Sequence, residues 1–480
     1  MIFNSIEFLF FVPVVFFLYW FFAKGNTARQ NILLLIASYY FYANWDYRFL
    51  FLLILLTFID YCIAIRIHKA GSNSMKKSWL WLSVGVNLSF LGIFKYFNFF
   101  SESFGELFDG FGLATNYVLL DVILPLGISF FTLRSISYVA DVYKDKIVPE
   151  RNFVNYALFL SFFPLLIAGP IERATHFLPQ IQIKRVFKYD MAVDGLRQIL
   201  WGLFMKVVIA DNCGLIVNKV FDKPHEYTAS SLIVGAIYFA FQIYGDFAGY
   251  SNIAIGTARL FGIDIQQNFA NPYFSHNIAE FWRRWHISLS TWFRDYVYSQ
   301  LTEKQSGLKR QIPVILLVFA AIGLWHGANW TFLLWGLLHA VYIITLLIFK
   351  VNVADNVVGE NRMLPSLKEL LQMLFTFGII TISWVIFRSE SVADAASYLA
   401  RMVNIMHFGV PKVDLKPFAF IIMLVAAEWV QRRKRHSLEL SSMNNKILRW
   451  MIYTIVFLMI LIFSSHSDTF IDYQYYALQQ

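Results

Sequence analysis

Charge is scarce in this chain. Asp, Glu, Lys and Arg together make up 15% of 480 residues, against roughly 25% in soluble domains. With 58% hydrophobic residues and fifty phenylalanines, the shortage excludes a soluble globule and fits a lipid-facing surface. Cysteine is scarcer still. Cys62 and Cys213 are the only two, both inside apolar segments, which excludes a disulfide framework and any cysteine metal spacing. No GxSxG, HExxH, Walker or Gly-rich dinucleotide signature stands in the context each requires, and no histidine and carboxylate spacing argues for a metal. Low-complexity tracts and a repeated period are missing too. Paired broken repeats mark many secondary transporters, so their absence counts against a transporter. The opening MIFNSIEFLFFVPVVFFLYWFFA lacks a basic n-region and a small-residue cleavage site, and reads as a retained first span.

What is present is a series of long apolar runs. A spanning helix needs roughly 20 mostly apolar residues. Candidate spans begin near Ile6, Asn31, Leu50, Trp79, Phe153, Leu196, Leu232, Ile312, Thr331, Leu367, Phe418 and Trp450. The runs are too long and continuous for a β-barrel. The stretch from Val118 to Tyr138 is broken by Pro125 and Gly127, so it is either a span or a re-entrant segment. The sequence thus predicts an all-α integral membrane protein of about eleven to thirteen transmembrane or re-entrant helices, in a single domain over 1–480, ending in an aromatic tail at 470–480. The net charge of +9 lies mostly in short loops, where topology and anionic lipid account for it better than nucleic acid does. Lys24 and Arg29 follow the first span, and Arg66, Lys69, Lys76 and Lys77 the third. Both loops are cytoplasmic if the N-terminus lies outside.

Three polar islands interrupt the apolar runs, and an ionisable residue at membrane depth is a functional-site hypothesis. The first is FWRRWHISLSTWFRDY, Phe281 to Tyr296. At helical spacing Phe281, Trp285, Leu289, Trp292 and Tyr296 share one face, with Arg283, Arg284, Thr291, Arg294 and Asp295 on the other. That pattern predicts one amphipathic helix in the interface plane with His286 at the boundary. The residues fit a plain membrane-surface helix as well as a site. Arg283 and Arg284 suit either lipid head groups or a phosphate-bearing donor. The second island is GLWHGANW, Gly323 to Trp330. Its glycines allow a helix break or close backbone approach around His326, which could act as a general base near neutral pH or pack as a bonded core histidine. Trp325 and Asn329 flank it, and His339 reads as structural. The third is FQIYGDFAGYSNIAIG, Phe241 to Gly256. Asp246 there must be paired, either to orient a histidine or to hold an arginine such as Arg283, with Gln242 adding polarity.

Taken in order, PLGISFFT (Pro125–Thr132), AGPIER (Ala168–Arg173), QIYGDFAGYSNIAIG (Gln242–Gly256), NFANPY (Asn268–Tyr273), EFWRRWHISLSTWFRDYVY (Glu280–Tyr298) and LWHGANW (Leu324–Trp330) resemble the membrane-bound O-acyltransferase family. Within it they are similar to the bacterial branch typified by the membrane subunit of alginate O-acetylation, and the resemblance covers essentially the whole chain. It implies a ring of helices around a central funnel or tunnel, with His326 as principal catalytic residue. His286 falls at a second site position, where the family carries histidine or asparagine, and would orient the donor or polarise its carbonyl. It implies transfer of acetyl from acetyl-coenzyme A or a related cytoplasmic thioester, with no tightly bound cofactor and no metal. The acetyl group would pass across a bacterial inner membrane toward a polysaccharide or peptidoglycan, through an exported SGNH-type acetyltransferase partner. Relatives often end in a motif like FIYFQF. This chain has FIDYQY from Phe470, so an acyl relay through Tyr473 or Tyr475 stands beside the reading of the tail as an anchor. The competing classes are a transporter or flippase and a non-catalytic scaffold of a polysaccharide machine.

Overall fold

The computed structural model describes residue 1 and residues 3–112, 118–121, 123–302, 307–351, 362–441 and 443–464. Among these every regular element is helical. Seven helices among the described residues are long and apolar enough to cross a membrane, and a shorter apolar helix, Ile6–Phe22, accompanies them. The run predicted to span from Phe153 is one that falls short. Its helix ends at Ser161, because Phe162 turns out of helical geometry and Pro164 opens a new short helix. The helices Thr27–Ala43, Lys416–Val430 and Lys446–Ile462 also stop at 15–17 residues.

The chain divides into two compact units, Met1–Gly195 with Thr257–Gln266, and Leu196–Gly256 with Gln267–Gln480. In the first, Tyr47–Lys69, Asn73–Leu91 and Ile128–Tyr143 are pinned together by one carboxylate. Asp60 is fully buried and accepts hydrogen bonds from Ser83 Oγ at 2.5 Å, Asn87 Nδ2 at 2.8 Å and Ser135 Oγ. A buried carboxylate is tolerable only with such donors. The break in PLGISFFT is resolved here. Gly127 takes φ +74°, and a Cβ there would stand 2.2 Å from the Leu166 carbonyl oxygen. Two irregular segments therefore meet backbone to backbone, covered by protein as membrane-depth irregularity demands. Below them Glu172, fully buried, accepts from the Gln266 backbone N–H at 2.8 Å and bonds His176 Nδ1 at 2.7 Å.

The second unit is threaded by residues 229–256 of the helix Ala229–Leu260, which is 32 residues long. Gly249 and Gly202 let it touch the preceding helix closely. A Cβ on either would lie 2.5–2.8 Å from the other's carbonyl oxygen, the small-residue contact expected between membrane helices. That preceding helix carries a π turn, Phe204–Ala210, a distortion frequent near functional sites.

Candidate active site

His326 is the last residue of the helix Leu308–His326. Three glycines place it. A Cβ on Gly323 would lie 2.2 Å from the Phe332 carbonyl oxygen, one on Gly336 2.2 Å from that of Phe319, and one on Gly327 2.1 Å from the Phe332 ring. The helix Trp330–Ile348 can therefore fold straight back on its predecessor. Asn329 caps that second helix, accepting from Thr331 N–H at 3.0 Å and donating to the Glu390 carbonyl at 2.9 Å. Asn329 thus shapes the turn that holds His326. The His326 ring is half-buried and walled by Trp335 at 5.4 Å and Phe387 at 5.3 Å, centroid to centroid.

His286 is reached by a different route from the predicted one. The expected single amphipathic helix over 281–296 is instead two short helices, Ile278–Arg284 and Ile287–Phe293. Between them His286 adopts a left-handed backbone, φ 42° and ψ 55°, uncommon for a residue with a side chain and costly by about 1–3 kcal/mol. The ring is fully buried, so it is no interfacial polar tip. The cause is the segment at Asn268. Its carbonyl accepts from Ile287 N–H at 2.9 Å, and its Oδ1 accepts from Ser288 N–H at 3.2 Å and Ser288 Oγ at 2.9 Å. These bonds draw the chain out of helical register. The same Oδ1 lies 3.2 Å from His286 Nδ1. Since the Ser288 N–H marks this atom as an acceptor, the ring's hydrogen sits on Nδ1 and its lone pair on Nε2. Burial, helped by the neighbouring His326, pushes the His286 imidazole well below its usual range, so it is neutral near pH 7.

The two rings come together in the second unit with centroids 6.5 Å apart, inclined by 71°. Trp325 stands beside both, at 5.7 Å from His286 and 5.1 Å from His326. Phe247, next to Asp246, meets the His286 ring edge-on at 4.6 Å. His339 is committed elsewhere: Nδ1 accepts from Trp282 Nε1 at 3.1 Å, and Nε2 donates to Ser383 Oγ at 3.1 Å, whose own hydrogen goes to the Ile380 carbonyl.

The charged candidates separate. Asp246 bonds Lys206 Nζ at 2.6 Å, and the same ammonium holds Asp211 at 2.9 Å, so Asp246 is paired with Lys206, a partner outside the two that the sequence suggested, a histidine or an arginine such as Arg283. Gln242, one turn earlier, is buried against Gly214. Arg284 turns inward to Glu280 Oε1 at 2.7 Å and to the Ala270 carbonyl at 3.2 Å. His276 bonds the other oxygen of that carboxylate at 2.9 Å. Arg284 is thereby tied to the protein, while Arg283 is exposed. Tyr473 and Tyr475 lie outside the described residues. Among the described residues no three of His, Cys, Asp or Glu converge to hold a metal ion. Asn268 and Lys206 were overlooked in the sequence. Lys206 carried a signal, since WGLFMKVVIA places one lysine alone in an apolar run.

The model of the membrane-bound O-acyltransferase family matches residues 34–388. The chain belongs to the membrane-bound O-acyltransferase family. It is a multi-pass membrane O-acyltransferase. Among its relatives is the protein named "Probable alginate O-acetylase AlgI" of Pseudomonas aeruginosa, 39% identical over 397 residues, which are 82% of this chain and 73% of that one. The peptidoglycan O-acetyltransferase of Helicobacter pylori is 35% identical over 435 residues, 84% of this chain and 80% of that one. The teichoic acid D-alanyltransferase of Bacillus subtilis is 30% identical over 282 residues, 55% of this chain and 69% of that one.

Proposed function

We propose that this O-acyltransferase moves an acetyl group from a cytoplasmic thioester, acetyl-coenzyme A or a related donor, toward a polysaccharide or peptidoglycan outside a bacterial inner membrane. The relatives named for alginate and peptidoglycan O-acetylation support the acceptor class. The observation that carries the chemistry is the pair of imidazoles 6.5 Å apart, one half-buried at a helix end and one fully buried. That separation suits a substrate oxygen between the rings. His326 takes the hydroxyl proton as the oxygen attacks the thioester carbonyl. The C–O bond forms, the C–S bond breaks, and the thiolate leaves and is protonated. His286, with Nε2 as a lone pair, accepts a hydrogen bond in this arrangement. Polarising the donor carbonyl would need a donor at that atom, so the accepting role is the better supported of the two. Arg283 faces outward to meet an anionic donor. An exported SGNH-type acetyltransferase would receive the group, with Tyr473 or Tyr475 as relay. Replacing Tyr473, Tyr475 and Tyr476 by phenylalanine keeps the rings, and full activity would dismiss the relay.

The test is labelled-acetyl transfer in membranes bearing the wild type or His326→Ala. The variant should fall by about 10²- to 10⁴-fold, the worth of general base catalysis, while inserting normally. Transfer near the wild-type rate refutes the role, and substrate-dependent currents or uptake without transfer would make the protein a transporter.

A further inference from the structure

The first unit holds an open groove of about 800 Å³ between its first two helices, within the range of small-molecule sites, about 300–1,000 Å³. One wall is Phe10, Val14 and Leu18, the other Ile32, Ile36 and Tyr40. These side chains point outward: Phe10, Val14, Ile36 and Tyr40 are 68%, 58%, 64% and 58% exposed. The floor is firm. Phe11 stacks on Tyr40 with centroids 6.0 Å apart and meets Phe163 edge-on at 5.2 Å. Ala37, buried among larger neighbours, supplies the concavity. From Arg29 to Asn44, both on the lining, the groove runs about 22 Å at 1.5 Å per residue. That exceeds one leaflet of the hydrocarbon core, about 15 Å.

The ends differ in charge. Arg29 lines the groove where the two helices join. The turn there carries Lys24, which is exposed. Lys184 reaches the same turn, its Nζ 3.9 Å from where a Cβ on Gly25 would be. Arg29 on the lining, with Lys24 and Lys184 at the adjoining turn, makes this end basic, on the loop that the distribution of lysine and arginine assigns to the cytoplasmic side. The far end offers Met1, Glu7 and Asn44, with the Met1 amino group interacting electrostatically with Glu7. A zwitterionic head group would bring its own cation into the basic mouth, whereas an anionic one is matched there.

We propose that this groove is a binding site for an anionic phospholipid, its acyl chain along Phe10, Val14 and Ile36 and its phosphate held by Arg29, Lys24 and Lys184. The site goes beyond the acyl-transfer reading and uses none of the residues assigned to it.

The full-length protein in detergent should be titrated with phosphatidylglycerol and with phosphatidylcholine of the same chains, and the retained lipid counted by native mass spectrometry. One phosphatidylglycerol per protein should be kept in preference to phosphatidylcholine. Arg29→Gln and Lys184→Gln should each erode that preference about five-fold, the worth of one cation at an anionic surface. Ala37→Leu should expel both lipids while size-exclusion behaviour stays monodisperse. Equal retention of the two lipids by the wild type overturns the proposal, as does unchanged retention by a folded Ala37→Leu protein. If that variant fails to fold, a photo-crosslinking residue at position 36, used in membranes, decides the matter. Capture of phosphatidylglycerol supports the site. Capture of a protein chain shows that a helix fills the groove and refutes it.

Discussion

Removing the side-chain amide of Asn268 should slow acyl transfer through His286. Asn268 Oδ1 takes three hydrogen bonds, from His286 Nδ1 at 3.2 Å, Ser288 N–H at 3.2 Å and Ser288 Oγ at 2.9 Å, and the residue is fully buried. Asn268→Ala leaves those donors without their acceptor. Each orphaned donor costs about 1–3 kcal/mol, so the variant should lose several kcal/mol of stability unless water enters the vacated space. The effect on chemistry is smaller. The bond to the neutral His286 ring has a net worth of about 1–1.5 kcal/mol, which is about five- to twelve-fold in rate. In a His286→Ala background there is no ring left to hold, so Asn268→Ala should add almost no further loss. The double-mutant cycle should then show a coupling of about 1–1.5 kcal/mol. Asn268→Asp keeps an acceptor facing Nδ1 and should recover most of the rate. Initial rates of labelled-acetyl transfer, normalised to folded protein by fluorescence-detected size exclusion, give all four corners of the cycle. Rate losses that simply multiply, with no rescue by aspartate, would mean that Asn268 serves the fold alone.

Arg283 and Arg284 should behave oppositely: Arg283→Ala raises the donor concentration needed for half-maximal transfer, whereas Arg284→Ala strands the buried Glu280 carboxylate and costs about 3–5 kcal/mol, read as a lower melting temperature. Gly323→Ala should cost about 1–3 kcal/mol by overpacking, because its Cβ would stand 2.2 Å from the Phe332 carbonyl oxygen; a melting temperature equal to wild type would deny the close approach. The hydrogen bond that His176 donates to the Glu172 carboxylate raises the His176 pKa, so its stabilising contribution is full below the unfolded value of about 6.5 and fades as pH climbs through the raised one. Thermal melts of His176→Gln should therefore trail the wild type at about pH 6 and converge with it in alkali, and a gap that widens with pH would contradict the assignment.

The parts of the site governed by local rules were legible in the sequence. Gly323, Gly327 and Asn329 announce a helix end and a tight return, and His326 sits at that end. The seven long apolar helices follow from run length alone. The helix predicted across Trp285 and His286 failed because its competitor lies eighteen residues upstream. Periodicity cannot foresee that Asn268 will take the N–H groups of Ile287 and Ser288. For the same reason Asp246 and Lys206, forty positions apart, could be flagged singly as costly charges but not matched. Arg284 shows the limit from the other side. Its helical face was read correctly as polar, yet Glu280 one turn back turns it inward.

The arrangement of Lys206 between Asp211 and Asp246 constrains how this protein can change over generations. Loss of either aspartate leaves a bond of the ammonium unmade, and loss of the lysine leaves two carboxylates facing each other in a buried setting, so each single replacement passes through a destabilised intermediate. Exchange of all three for apolar residues of similar volume could be nearly neutral. The three positions are thus expected to change as a block. Lineages of this enzyme should keep the whole set or abandon it together, and chimaeras that draw position 206 from one lineage and position 246 from another should be the ones that fail to assemble.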